Sequence, residues 1–203
     1  MFGKPGRPPE DRVGRQLQIW ATVGPLIEEH GVGSLTMRQA ADASFMSLGG
    51  LYHYFPNKRA LVLFGLDQAA LERECADFYA EHGHLKETDP EAAVEAFIQF
   101  SVGERAFCRP AVLAALELGA EEFLSRLGHN ITIGLEGFTQ TLGVAVPEAD
   151  ERDLKTVAKA ARRLFYASLI DRSMTGQEFE DELRAVVKGM PAGKRKPELA
   201  ATG

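Results

Sequence analysis

Apolar residues recur every three or four positions along nearly the whole chain, and the alternating pattern of a half-buried strand is absent. The first stripe predicts a helix from about Arg15 to His30, with Gly31 as its C-terminal stop. Pro25 falls inside this stripe, and we expect a kink there because proline removes a backbone hydrogen bond. The pattern predicts an all-α protein of about nine helices.

Two short helices follow the first one. Thr36 is suited to cap a helix from Met37 to about Ala43, and Ser47 is suited to cap a helix from Leu48 to about Tyr54. A long helix followed by two short, tightly connected ones is the outline of a helix-turn-helix.

The rest of the chain is also predicted to be helical. Asn57 is suited to cap a long fourth helix that runs to about His82, and the polar segment Gly83–Glu91 separates this helix from the C-terminal part of the chain. Beyond that segment the pattern predicts five helices: Pro90–Phe107, Ala111–Leu118, Glu121–Leu142, Glu148–Arg172 and Gln177–Lys188.

Charge is unevenly distributed along the chain, whose net charge is −6. Residues 1–65 carry seven Lys or Arg against five Asp or Glu, whereas residues 66–203 carry sixteen against twenty-four. A slightly basic head on an acidic body indicates that only the head meets an anionic partner.

Several classes of protein fit the sequence poorly. The two cysteines form no Cys-x-x-Cys pair, which argues against a disulfide framework or a zinc site. No apolar run reaches the roughly 18 residues of a membrane span, and the N-terminus lacks the apolar core of a signal peptide. Nucleophile–base spacings and metal-ligand patterns are missing as well. We expect a cytoplasmic protein that contacts no membrane, needs no cofactor or metal and has no catalytic residues.

The stretch GGLYHYFPNKRAL, from Gly49 to Leu61, carries the most chemistry. Tyrosine, histidine and lysine donate hydrogen bonds to phosphate oxygens, and Lys58 lies in a first helical turn, where a cation is unfavourable unless an anion is near. On composition alone, an ordinary aromatic core patch would be the better explanation of the rings. The capped short helices on either side favour a phosphate-contacting surface.

The segments LTMRQAADAS and LGGLYHYFPNKRAL resemble the DNA-binding signature of the tetracycline-repressor (TetR) family of bacterial regulators, over about Ile19 to Leu66. The resemblance implies that Ser47 to His53 form a recognition helix in the major groove of operator DNA. It implies phosphate contacts for Tyr52, Tyr54 and Lys58, and a base contact for His53. The DNA-binding residues it implies are Thr36, Arg38, Ser47, Leu48, Gly49, Tyr52, His53, Tyr54 and Lys58.

The sequence departs from the family pattern at three positions. Phe45 stands in the turn where the family usually has glycine, and because a positive φ is costly for phenylalanine, we expect a turn of different shape. Leu48 replaces a common polar reader, and Pro25 interrupts a helix that is usually continuous. Leu51 and Phe55, four residues apart, should both point inward.

The resemblance also implies a second helical domain that binds an effector and pairs two protomers. The predicted helix from Glu121 to Leu142 is apolar around most of its circumference yet carries polar residues, which need either internal partners or a ligand. The predicted effector-binding residues are Phe97, Phe100, Phe107, Leu116, His129, Asn130, Ile133 and Phe138. Apolar stripes on the last two helices predict a dimer interface of Leu154, Val157, Ala158, Ala161, Phe165, Ser168, Leu183 and Val187.

Together these features predict a homodimeric, ligand-responsive transcriptional regulator, most simply a repressor that a small, largely apolar effector releases from double-stranded operator DNA. Its expected parts are a flexible arm (1–14), a helix-turn-helix DNA-binding domain (15–65), an effector-binding and dimerisation domain (66–190) and a flexible tail (191–203). The competing interpretations are an enzyme with a helical pocket, a helical protein-interaction module, and a small-molecule-binding protein that does not bind DNA.

Overall fold

The computed structural model describes residues 11–120, 137–147 and 149–189, and every regular element in these residues is helical. The helices are α1 (Arg12–Ser34), α2 (Met37–Ala43), α3 (Leu48–Tyr54), α4 (Lys58–Val62), α5 (Gln68–His82), α6 (Leu85–Thr88), α7 (Pro90–Glu117), α8 (137–145), α9 (Glu151–Ile170) and α10 (Gly176–Lys188), with a 3₁₀ turn at Phe64–Leu66. The prediction of an all-α fold is confirmed. The predicted effector residues His129, Asn130 and Ile133 lie outside the described residues.

Helix α1 starts three residues earlier than predicted, because Asp11 caps it by accepting a hydrogen bond from the Gly14 amide at 2.9 Å. Backbone angles remain helical at Pro25 and depart from helical values at Gly31, where φ is 75° and ψ is 164°. The break in α1 therefore lies at the predicted glycine stop and not at the proline.

The predicted single helix from Asn57 to His82 is wrong, because the chain turns twice in this region. Helix α4 ends at Val62, and α5 starts anew after Asp67, whose side chain accepts a hydrogen bond from the Ala70 amide. The 3₁₀ turn between them lies tightly against α7. A Cβ atom on Gly65 would stand 2.5 Å from the Phe107 carbonyl oxygen and 2.8 Å from the Trp20 ring. Close packing of this turn requires glycine and explains the bend.

The two helices predicted on either side of Pro110 are one continuous helix, α7. Pro110 is buried against α1, where a Cβ on Gly24 would stand 3.5 Å from its ring. One turn away, the Trp20 indole donates a hydrogen bond of 3.0 Å to the Phe107 carbonyl. Packing against α1 thus keeps α7 helical where the sequence alone predicts a stop.

Two apolar cores share α7. The first combines α1 to α5 with the second half of α7, and it includes Trp20, Phe55 and Phe64. The second combines the first half of α7 with α8, α9 and α10, and it includes Ile98, Phe138 and Phe179. Helix α7 therefore belongs equally to the N-terminal and C-terminal parts of the molecule.

The residues of the predicted dimer stripe pack within the protomer, which argues against them as the surface between protomers. Ser168 is buried, and the other seven residues belong to the second core or pack against it: Leu154, Val157, Ala158, Ala161, Phe165, Leu183 and Val187. The regular spacing reflected the packing of α9 and α10 against each other and against α7. If α9 and α10 contact a second protomer, other faces of these helices are the exposed ones.

Candidate nucleic-acid interface

Side-chain caps start both helices of the helix-turn-helix, as predicted. Thr36 and Gln39 form a reciprocal capping box, in which the Thr36 side chain accepts from the Gln39 amide at 3.2 Å. Ser47 accepts from the Gly50 amide at 3.0 Å. The Thr36 hydroxyl also donates to Gln39, so a phosphate contact from Thr36 requires exchange of that bond.

The turn between α2 and α3 keeps the backbone shape for which glycine is favoured, although phenylalanine occupies it. Phe45 has a φ of 53°, its amide bonds to the Asp42 carbonyl, and the Met46 amide bonds to the Ala41 carbonyl. These two bonds are those of a Schellman helix end. The expectation of a turn of different shape was wrong. The Phe45 side chain is 97% exposed, so no burial of its ring offsets the backbone strain.

The inner face of α3 anchors it to the first core. Leu51 and Phe55 are buried as predicted, and the Phe55 ring meets the edge of Phe64 at 5.3 Å between centroids. Tyr54 is also buried, at 8% exposure. This burial argues against a phosphate contact from the Tyr54 side chain, because its ring packs into the first core.

The outer face of α2 and α3 is open. Arg38, Ser47, Gly49, Tyr52 and His53 are exposed, while Leu48 and Lys58 are partly exposed. These seven predicted DNA-binding residues therefore lie on the accessible side of the short helices α2, α3 and α4. Thr36, the exposed cap of α2, lies on the same side.

Gly49 has no structural need to be glycine. A Cβ atom built at this position would meet nothing within 4 Å, although glycine weakens a helix. A glycine on the exposed face of the first turn of α3 is explained if another molecule must approach the backbone there.

Helix α1 holds the C-terminal end of α3 in place, a contact that sequence analysis missed. The Arg12 guanidinium donates to the carbonyls of His53, at 2.8 Å, and Tyr54, at 3.2 Å, and the Gln16 amide donates to the Tyr54 carbonyl at 3.0 Å. These bonds satisfy carbonyls that a helix end leaves without partners. The partners are about 40 residues apart in sequence, so local patterns carry no signal of the contact.

A cleft of about 450 Å³ lies beside this junction, with Arg12, Gln16, Asn57 and Arg59 in its wall. None of the predicted effector-binding residues lines it. The cleft adjoins the start of α4, so its cations extend the basic surface next to Lys58.

The structure brings together three of the predicted effector residues and separates two. The Phe97 and Phe138 rings stack at 4.4 Å, and Phe100 stacks on Phe78 at the same distance. The assignment of Phe107 is contradicted, because its ring contacts Trp20 and Phe64 in the first core. Leu116 is 49% exposed, and its role in a pocket lining stays a prediction.

Two kinds of feature are missing from residues 11–120, 137–147 and 149–189. Within these ranges, no set of three or more His, Cys, Asp or Glu side chains is arranged to hold a metal ion. Likewise, no helix among them has both the length and the apolar character to cross a bilayer.

Residues 25–63, from within α1 to the end of α4, match the sequence profile of bacterial regulatory proteins of the tetR family. In this segment the chain is similar to the DNA-binding part of the tetR family. Members of this family are ligand-responsive DNA-binding regulators, and the exposed face of α2 and α3 lies within the matched segment. No curated protein sequence matches the chain.

Solved structures show the same fold at low sequence identity. The fatty acid degradation regulator FadR from Bacillus halodurans aligns with a TM-score of 0.55 and 16% identity over 95% of this chain and 99% of its own. The TetR family regulator PfmR from Thermus thermophilus aligns with a TM-score of 0.55 and 17% identity over 88% and 99%. A transcriptional regulator from Aquifex aeolicus aligns with a TM-score of 0.54 and 18% identity over 86% and 98%.

Proposed function

We propose that this chain is a cytoplasmic TetR-family repressor that occupies an operator through α2 and α3 and leaves it when a small, largely apolar effector binds between α5, α7 and α8. The observation that carries this proposal is the open, glycine-containing face of α3 beside Arg38 and Lys58. The backbone at Gly49 is unobstructed, so α3 can enter a DNA groove. The exposed rings of Tyr52 and His53 and the capped starts of α2 and α3 lie where they can meet the phosphates on either side of that groove.

The proposed DNA-binding surface differs from the sequence prediction at two residues. Tyr54 is removed because it is buried, and Arg12 is added as the residue that orients the end of α3 through two carbonyls. Tyr52 and Lys58 remain the proposed phosphate contacts, and His53 the proposed base contact.

A buried arginine supports the proposed coupling between effector and operator sites. Arg109 on α7 forms an ion pair with Glu28 on α1, and it donates to the carbonyls of Ser168, at 3.1 Å, and Asp171, at 2.9 Å, at the end of α9. A shift of α7 or α9 must therefore act on α1, which holds α3. Such coupling between two sites typically amounts to about 1–3 kcal/mol.

The proposed assembly is a two-fold dimer through the outer faces of α9 and α10. The outer face of α9 is basic, with Arg152, Lys159 and Arg163, and the outer face of α10 is acidic, with Asp181 and Glu182. None of these five has an ion-pair partner in the described part of the chain. A two-fold axis can place α9 of one protomer against α10 of the other, so that opposite charges meet twice.

The test begins with selection of a preferred duplex from a random-sequence library by the purified protein. Affinity for that duplex should fall steeply with salt, and Lys58→Ala should weaken binding and lower the slope of log K against log salt by roughly one unit. Lys86→Ala, which removes a lysine on α6 instead, is the matched control and should bind as wild type does.

Two outcomes oppose the proposal. If no sequence is enriched, or if binding does not depend on salt, the helical head serves another partner. A Lys58→Ala variant with unchanged affinity would remove the phosphate contact from α4.

A further inference from the structure

Two helices of the C-terminal part meet through their aromatic residues. Phe78 on α5 and Phe100 on α7 stack at 4.4 Å between ring centroids. The short helix α6 is the only helix that separates α5 from α7 in the chain, so the two helices run in opposite directions as a hairpin.

This arrangement places two carboxylates side by side. Glu74 precedes Phe78 by four residues, and Glu104 follows Phe100 by four residues. One helical turn spans about 3.6 residues, so each glutamate lies on the same face as its phenylalanine. Because the helices are antiparallel, both glutamates stand one turn from the stacked rings at the same end of the contact.

Neither carboxylate forms an ion pair in the described part of the chain, and Arg73 acts on Glu74 only as a nearby charge. No hydrogen bond or ion pair reaches Glu74 or Glu104, although both are partly buried. The neighbouring arginines are engaged elsewhere: Arg73 pairs with Asp11 and Asp77, and Arg105 donates to the Met174 carbonyl. Two acids close together without a cation are costly to keep ionised.

The consequence is visible in the acidity of both groups. Desolvation, and then the charge of Glu74, raise the pKa of Glu104 to about 8. Desolvation, and then the charge of Asp77, also raise the pKa of Glu74. Glu104 is therefore mainly protonated at neutral pH in the ligand-free protein.

Further ring faces and an unused imidazole nitrogen lie on the other side of the stacked rings of Phe78 and Phe100. Phe97 lies 6.2 Å from Phe100 and stacks on Phe138, while His82 stacks on Phe78 at 5.1 Å. The Nδ1 atom of His82 is buried and finds no hydrogen-bond partner among the described residues. Aromatic faces attract cations, and this buried nitrogen can accept a hydrogen bond.

We propose that Glu74 and Glu104, with the rings of Phe78, Phe97 and Phe100, form a binding site for an organic cation that carries an ammonium group on an apolar body. This proposal rests on the proposed function, because it assigns the chemical class of the effector. A neutral apolar molecule would use only the rings, whereas a cation would also supply the charge that the two carboxylates lack.

The exchange is balanced in charge. As the ammonium group enters, Glu104 loses its proton to solvent and the cation takes the proton's place between the carboxylates. The other titratable groups near the two glutamates are Arg73 and Asp77, which pair with each other, and Cys75, Tyr79, His82 and Cys108. Burial raises the pKa of Cys75 to about 11 and also raises the pKa values of Tyr79 and Cys108, so these three keep their protons at neutral pH.

The test compares two probes of equal shape, phenyltrimethylammonium and its neutral isostere tert-butylbenzene, by calorimetry on the full-length protein at pH 7. The cation should bind at least about tenfold more tightly than the isostere. Its heat of binding should vary with the ionisation enthalpy of the buffer, because a fraction of a proton, up to about one, is released per cation bound.

Variants separate charge from packing. Glu104→Gln should weaken binding of the cation about tenfold or more and leave tert-butylbenzene unaffected, and Glu74→Gln should act in the same direction. Glu81→Gln on α5 and Glu91→Gln on α7 remove exposed carboxylates from the same two helices and should change neither affinity.

Equal affinity for the two probes, or unchanged cation binding by Glu104→Gln, overturns the site. Binding of the cation without any loss of affinity for the selected duplex overturns its role as effector. These results are separable from failure of the proposed function, because probe binding is measured without DNA, and DNA binding by the Glu104→Gln variant is measured without a probe.

Discussion

At the scale of single residues, Gly49 carries the clearest conflict between stability and function. It lies in a seven-residue helix, it is exposed, and space for a side chain is open on all sides. Glycine in a helix interior costs about 1 kcal/mol relative to alanine, and part of that cost applies to Gly49 in the first turn of α3. No contact within the described part of the protomer compensates for this cost. A glycine here is expected if DNA must come close to the backbone.

We expect Gly49→Ala to raise the free energy of unfolding by roughly 0.5–1 kcal/mol and to weaken operator binding at least about tenfold. Gly103→Ala is a matched control, since Gly103 is exposed within α7 and also has nothing within 4 Å of a built Cβ. It should stabilise to a similar degree and leave DNA binding intact. Thermal unfolding and duplex titration measure both effects. A Gly49→Ala variant that binds DNA as well as wild type would contradict close approach at α3.

The residue assignments also show what the sequence can and cannot predict. The capping roles of Thr36, Ser47 and Asn57 were predictable because a cap is local, and the structure confirms all three. The inward direction of Leu51 follows from helical spacing. Burial of Tyr54 was not predictable, since it depends on how α1 closes over the end of α3.

At the scale of elements, the junctions between helices account for most differences from the predicted boundaries. Pro110 and Gly65 have opposite outcomes: the proline does not end α7, whereas the segment around the glycine breaks a predicted long helix in two. In each case the deciding contact comes from a distant part of the chain, α1 for Pro110 and α7 for Gly65. Periodicity within one helix contains no information about such contacts.

The turn after α2 makes the cost of a strained junction testable. Phe45 adopts a left-handed conformation that costs a non-glycine residue about 1–2 kcal/mol, and its exposed ring recovers nothing. Phe45→Gly should therefore stabilise the protein by about 1 kcal/mol, after allowance for the greater freedom of glycine in the unfolded chain.

Chemical denaturation with an unchanged m-value would measure this gain as a shift in midpoint. Phe45→Ala is the control, because it removes the ring but keeps a Cβ in the same strained backbone. If alanine stabilises as much as glycine, the strain lies in the ring and not in the backbone angle.

At the scale of the whole molecule, burial of the predicted interface stripe changes how assembly can be tested. Ala161→Glu would place a charge in the protomer's own second core and unfold it, so loss of dimers in that variant would be uninformative. The exposed charges of α9 and α10 are better targets, because they can be reversed without disturbing either core.

We expect the triple variant Arg152→Glu, Lys159→Glu and Arg163→Glu to be monomeric at micromolar concentration, with its helical signal retained, because the outer faces of α9 and α10 are then both acidic. Adding Asp181→Lys and Glu182→Lys should restore the dimer, since the two faces are again opposite in sign. Sedimentation equilibrium measures both states. A triple variant that dimerises as tightly as wild type would exclude these faces from the interface.

The shared core has a mechanical consequence. Trp20, Phe64 and Phe107 join the N-terminal helices to α7 by direct ring contacts, so the head cannot swing freely against this helix. With 28 residues, α7 is about 42 Å long, and a tilt of only about 5° at one end displaces the other by about 4 Å. A cation bound between α5 and α7 would act near the middle of α7. If α7 then tilted, the two recognition helices of a dimer would no longer match successive turns of the same DNA groove.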